Sequence, residues 1–259
     1  GTVSFNTGTP LQSFARNPQI RLTQNLGNLK FIVAALSQRD YVSRGPAGAS
    51  SDYLRNSAVP DMHLQIHFSA NNFVSGIGAA YKTIVPRLSS TVITTPYSSY
   101  YDYDAVLDSV LLIETEEITE KYEVDEKVNG LTAIVFAKVK LEPLTIKLQG
   151  RYGENIADVL SISGFAVKDT ANAATGKLNY TPLTNISFWG DIHTNGKKVQ
   201  FGVFGGMLMN NGTKDVMSTP DNEVYGLGTT INSLLRVSPR MIFNSGKARF
   251  AAEVEYTAA

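Results

Sequence analysis

Residues 131–152 read LTAIVFAKVKLEPLTIKLQGRY, and the fold turns on how they alternate. Leu131, Ala133, Val135, Ala137, Val139 and Leu141 form one apolar row, while Lys138 and Lys140 point to the other side. Glu142-Pro143-Leu144 is a tight reversal. Beyond it, Leu144, Ile146, Leu148, Gly150 and Tyr152 continue the apolar row, and Thr145, Lys147, Gln149 and Arg151 make a polar, basic one. Successive side chains of a strand point to opposite faces, so this is a hairpin with one greasy face and one wet face. Alternation over about ten residues per strand also matches the length a tilted strand needs to cross a bilayer.

The same pattern recurs on both sides. Ile20 and Leu22 alternate with Arg21 and Thr23, and Leu29 to Ser37 reads as the partner after an Asn25-Leu26-Gly27-Asn28 turn. Met62 to Ala70 puts Leu64, Ile66 and Phe68 opposite His63, Gln65 and His67. The Asn71-Asn72 dipeptide then turns the chain into Phe73 to Val85. Ile186, Phe188 and Ile192 oppose Ser187, Trp189, Asp191 and His193, and Asn195-Gly196 predicts a tight hairpin turn, of the two to four residues expected of each, before Lys198 to Leu208. Leu235, Val237, Met241 and Phe243 oppose Arg236, Ser238 and Arg240, and Ala248, Phe250, Ala252, Val254 and Tyr256 follow an Asn244-Ser245-Gly246 turn. The reading is about ten strands in about five hairpins. Tight turns alternate with long connections near 38–60, 87–128, 153–183 and 209–233, the rhythm of an outer-membrane barrel with short turns at one end and long loops at the other.

Composition permits this and narrows the alternatives. The chain has 259 residues and zero formal net charge, so bulk electrostatics suggest no nucleic-acid partner. Charged residues are 18% of the chain, below the roughly 25% typical of soluble domains. No apolar run is long enough for a membrane-spanning helix, which leaves a strand-built membrane wall open because alternation keeps average hydropathy low. Cysteine is absent, which excludes disulfide scaffolds and thiol catalysis. The rival reading of the apolar rows is the core of a soluble all-β binding or adhesion module. Its sheets would carry edge-strand charge, whereas the rows here are uncharged through at least four hairpins.

Several stretches resemble a known family. Asn17-Pro18-Gln19-Ile20-Arg21-Leu22, the runs Leu36 to Pro46 and Tyr53 to His63, and Arg151-Tyr152-Gly153-Glu154-Asn155 are similar to outer-membrane porins of the DcaP-like kind, in the branch found in Bacteroides and its relatives. The resemblance implies a 16-stranded barrel, often a homotrimer, in the outer membrane of a Gram-negative bacterium. It would be surrounded by lipid and lipopolysaccharide and pass small anionic solutes. With about ten strands, and a last residue that is Ala259 rather than an aromatic, the chain is expected to be the C-terminal part of a larger barrel, residues 1–259 forming one barrel region.

Candidate functional residues follow from the faces. The inward rows carry Arg21, Lys30, Lys82, Lys138, Lys140, Lys147, Arg151, Arg236, Arg240 and Arg249, opposed on strands by Asp191, Glu253 and Glu255. A wet, narrow path lined this way concentrates anions, so Arg21, Lys138, Lys147, Arg151, Arg236 and Arg240 are expected to line the pore and attract them. Arg39, Arg44 and Arg55 lie in the first long connection and are candidates for an inward-folded constriction. His63 and His67 lie four residues apart on a strand, roughly 13 Å, too far to share one metal ion. Asp191 with His193 lacks a serine nucleophile in a recognisable elbow, and no phosphate-binding loop, zinc signature or EF-hand occurs. The tyrosine cluster at Tyr97, Tyr100, Tyr101 and Tyr103 reads as a packed loop, and the acidic run from Glu114 to Glu126 as a solvated one. The expected function is a passive diffusion channel and not an enzyme, with no catalytic residue, cofactor or metal.

Overall fold

The computed structural model describes residues 8–94, 100–104, 109–113, 117–219 and 222–259. Its main body is one antiparallel wall of ten strands paired in sequence order: β1 Gln19–Leu26, β2 Leu29–Leu36, β3 Asp61–Ala70, β4 Phe73–Ile84, β5 Val128–Lys140, β6 Leu144–Glu154, β7 Lys177–Thr194, β8 Val199–Thr213, β9 Ser233–Ser245 and β10 Ala248–Glu253. All five hairpins stand where alternation put them. Gly27-Asn28 and Gly246-Lys247 are two-residue turns with Gly27 and Gly246 at φ +59°, and Asn71 takes φ +33° at the third. A left-handed backbone costs glycine little and asparagine less than most residues.

The turn after β7, at the expected Asn195-Gly196, is four residues long. Residues 195–198 connect the strands, because Asn195 is engaged by the neighbouring turn. Its amide Nδ2 donates to the Leu141 carbonyl at 2.7 Å, its Oδ1 accepts from the Thr145 hydroxyl at 2.7 Å, and its backbone N–H donates to the Pro143 carbonyl at 2.8 Å. Pro239 explains a second irregularity. Val254 N–H donates to the Pro239 carbonyl at 3.1 Å, but proline has no N–H to return. Strand pairing therefore lapses after Glu253 and resumes at Tyr256–Ala258 in unchanged register, with Arg240 opposite Glu253 and Val237 opposite Tyr256.

The two faces of the wall differ as the sequence requires. From Ile20 (78% exposed) through Val135 (54%) to Phe250 (63%), the outward row carries large apolar side chains, most of which are exposed. The inward row is mixed, its charged residues interleaved with Phe136, Trp189, Phe204 and Leu208, and is half covered. Two apolar clusters complete the molecule. One lies on the inner face, where Leu11 packs with Ile162, Phe204, Leu208 and Leu234 beside Trp189 and Ile231. The other lies at the long-loop end, where Tyr53, Leu54, Ile84, Val128 and Phe165 pack with Tyr180 and Tyr225, so all four long connections or the strand ends beside them meet in one cap.

The long connections carry short strands, as the sequence allows within 87–128 and near Tyr225. Ser89–Thr94 pairs with Ile118–Glu123, Tyr100–Asp104 with Ser109–Ile113, and Ser163–Asn172 with both the start of β7 and Val224–Leu227. A short helix, Asp52–Asn56, seats Tyr53 and Leu54 in the cap. The expected loops 87–128 and 153–183 are thus partly strand. In Ser163–Asn172 the alternation is short and broken by bulges, as between Val167 and Asp169, which hides it from a pattern reading. Tyr97 and Glu114 lie outside the described residues.

Candidate functional site

The candidate site is the inner face, built by the strand register. Pairing is in step across the wall, so residues on neighbouring strands form rows. One row runs Lys30, His67, Gly76, Phe136, Gln149, Trp189, Gly206, Arg236 and Thr257. The next runs Ile134, Arg151, Ser187, Leu208 and Leu234, and a third Lys138, Lys147, Asp191, Phe204 and Ser238. Gly76 is in its row for lack of room: a Cβ there would sit 2.6 Å from the Phe136 ring, which His67 meets edge-on with centroids 5.1 Å apart.

Asp191 is the electrostatic centre of the wall. It is buried, and it takes Arg240 Nη1 at 2.6 Å, His193 Nδ1 at 2.8 Å and Lys147 Nζ at 3.6 Å. Three bases on β6, β7 and β9 therefore share one carboxylate. Arg236 faces Glu255 at 3.3 Å and donates to the Thr257 hydroxyl at 2.9 Å. Arg151 is buried with no carboxylate partner among the described residues; it donates to the Ser13 and Ser161 hydroxyls at 2.7 and 2.6 Å and to the Pro10 carbonyl at 3.2 Å.

Of the nine residues expected to line a pore, register puts Arg21, Lys138, Lys147, Arg151, Arg236 and Arg240 on the inner face. Arg21 and Lys138 are exposed and enter no ion pair among the described residues. Arg39, Arg44 and Arg55 stay exposed on the first long connection, with Arg55 paired to Asp52. The segment that folds inward is a different one, 155–162, which contains a single 3-10 turn at Ala157–Val159. Asp158 on that turn forms a buried ion pair with Lys82 of β4 and accepts from Gln38 Nε2 at 2.9 Å. Lys82 also donates to the Asn155 carbonyl at 2.6 Å. A cavity of about 80 Å³ remains between this turn and the wall, bordered by Ser13, Asp61, His63 and Glu154.

A buried charge is tolerated only with a close partner, so the Lys82–Asp158 pair holds the turn against the wall. Sequence reasoning missed this element because its anchors, Ile156, Asp158 and Ile162, have no strand period. Apolar residues in the middle of an otherwise polar connection were the available signal. Leu11 carried the same signal among its polar neighbours. Asp61 and Asp158 add to the acids recognised on the inner side, so the wall is less one-sided than the strand rows alone indicated.

The cap above the wall is held by charge as well as packing. Arg87 makes two hydrogen bonds to the Glu126 carboxylate, at 2.6 and 2.9 Å, and the Leu178 N–H and Tyr180 hydroxyl each donate to it at 2.8 Å. Burial alone pushes the Glu126 carboxyl up, but these donors hold it below its ordinary range. The same pair raises the Arg87 guanidinium.

No protein-family profile matches this sequence, and no curated protein matches it significantly. Among solved structures it is similar to a porin refined at 1.8 Å resolution: the TM-score is 0.50 and the identity 11%, over 94% of this chain and 57% of that one. The fold is porin-like. The chain spans somewhat over half the length of that porin, and the outer edges of β1 and β10 take no partner among the described strands. The porin-like wall has an uncharged outer row, and an inner row that carries charge and is partly covered by an inward-folded segment.

Proposed function

We propose that this chain forms the wall of a passive outer-membrane channel of a Gram-negative bacterium for small, anionic solutes of carboxylate type, and that it is not an enzyme. The observation that carries the reading is the outward row. From Ile20 to Phe250 it is free of charge and mostly apolar along every wall strand between the turns and the cap, and most of it is exposed in the chain. An apolar surface of this extent in water is an aggregation hazard, whereas in a bilayer it is the required lining. Membrane lipid and lipopolysaccharide are its natural surroundings.

Anion preference rests on the inner row. Arg21, Lys138, Lys147, Arg151, Arg236 and Arg240 face inward, and Asp191 is shared by two of them, Lys147 and Arg240. Unshared positive charge in a confined path attracts anions through a field that solvent screens poorly. The local motifs quoted above favour the DcaP-like branch seen in Bacteroides, and with it a homotrimer of larger barrels.

The test is a planar-bilayer recording of the detergent-purified protein under a salt gradient. Stable current steps with a reversal potential on the anion side are expected. Steps with cation preference would keep the channel and remove the anion assignment. No steps from a protein that stays dispersed without detergent would replace the channel with a soluble binding module.

A further inference from the structure

Residues 9–14 lie on the inner face and touch β9, β7 and β6. The Thr9 carbonyl accepts from Arg236 Nη1 on β9 at 2.8 Å, the Leu11 carbonyl from the Ser187 hydroxyl on β7 at 3.2 Å, and the Pro10 carbonyl and Ser13 hydroxyl from Arg151 on β6. The Phe14 N–H then donates to the Val159 carbonyl of the inward turn at 3.0 Å. From β9 to β6 is three strand spacings, about 14 Å. The strap is pinned at its middle by Leu11, fully buried against Ile162, Phe204, Leu208 and Leu234.

What the strap offers the arginines is uncharged oxygen. A buried guanidinium binds a carboxylate or phosphate oxygen about twice as strongly as a neutral acceptor, and it is costly to leave a donor without one. Arg151 has only hydroxyl and carbonyl partners among the described residues, and its Nε is buried without an acceptor. Arg236 has Glu255 at one side, but its Nη1 is spent on a peptide carbonyl. The strap's oxygens therefore occupy positions at which oxyanions would be held more tightly.

We propose that residues 9–14 are a displaceable lumenal plug whose carbonyl and hydroxyl oxygens stand in for those of a permeating carboxylate or phosphate on Arg151 and Arg236. The proposal rests on the channel reading above. Displacement widens the path and bares both arginines in one movement, because the same few residues fill the space and occupy the donors. An anion that reaches Arg151 competes directly with Pro10 and Ser13.

Leu11→Asp tests this, since a carboxylate in the pocket of Ile162, Phe204 and Leu208 unseats the strap without altering any wall strand. Leu11→Gly is the milder companion. Single-channel conductance should rise by a factor of about two or more in the variants, and the reversal potential should move toward the anion. The chain has no cysteine, so Ser13→Cys supplies a unique thiol on the strap where it meets Arg151. It should react slowly with a maleimide in the otherwise wild-type protein and rapidly when combined with Leu11→Asp. Conductance equal to wild type in both variants, or a shift toward cations, overturns the plug and leaves the channel standing. If no form conducts, the channel reading fails, and a labelling rate unchanged by Leu11→Asp overturns the plug as well.

Discussion

Replacing Val135 by lysine puts a charge at mid-height on the outward row. Val135 lies near the middle of β5, which spans Val128–Lys140, and is 54% exposed. Thirteen strand residues rise about 44 Å, which a tilt of about 40° projects to about 34 Å, close to the hydrocarbon thickness plus its borders. Val135 then sits near the midplane, where a lipid-facing lysine costs about 2–4 kcal/mol. Leu144→Lys, at the turn end of β6, is the control. Near the interface the ammonium reaches headgroups, and the cost falls to about 0–1 kcal/mol. The assay is reversible urea unfolding in lipid vesicles followed by the fluorescence of Trp189, the single tryptophan, which packs on Phe204 with ring centroids 5.7 Å apart. The expected order is Val135→Lys well below Leu144→Lys, with Leu144→Lys near wild type. If Val135→Lys costs no more than a surface substitution, within about 0.5 kcal/mol, the outward row faces water and the membrane reading is wrong.

Two further perturbations probe the inner wall and the cap. Asp191→Asn removes the carboxylate shared by Arg240, His193 and Lys147, and should destabilise the wall by about 3 kcal/mol while moving the reversal potential toward anions; an unchanged unfolding midpoint and selectivity would remove Asp191 from its central place. Glu126 is held below its ordinary carboxyl range in the folded cap, so its contribution is present above that ordinary range and is lost as pH falls through the folded value. Amide exchange at Leu178, whose N–H donates to Glu126, should therefore accelerate on acidification relative to Glu126→Gln measured at the same pH. Identical exchange in the two proteins at every pH would show that packing of Phe165, Tyr180 and Tyr225 alone holds the cap.

The strands and their faces were legible from local pattern. Ile146 beside Lys147, or Leu235 beside Arg236, states which way each side chain points, and period two leaves no other arrangement of a half-wet strand. The tight turns carried their own signatures at Gly27, Asn71 and Gly246, because only a few residues tolerate a left-handed backbone. Asn195-Gly196 marked its hairpin too, although the asparagine side chain spends its hydrogen bonds on Leu141 and Thr145 of the next hairpin.

The amino-acid sequence by itself determined an antiparallel wall, its hairpin register and its greasy and wet sides, since each depends on residues close together in the chain. Only the tertiary structure decided what fills the wet side. Arg151 meets Ser13 across 138 positions, Arg236 meets the Thr9 carbonyl across 227, and Gln38 meets Asp158 across 120. No periodicity links residues so far apart. They come together because burying Leu11 and neutralising Lys82 are favourable only once the strands have already placed the inner face.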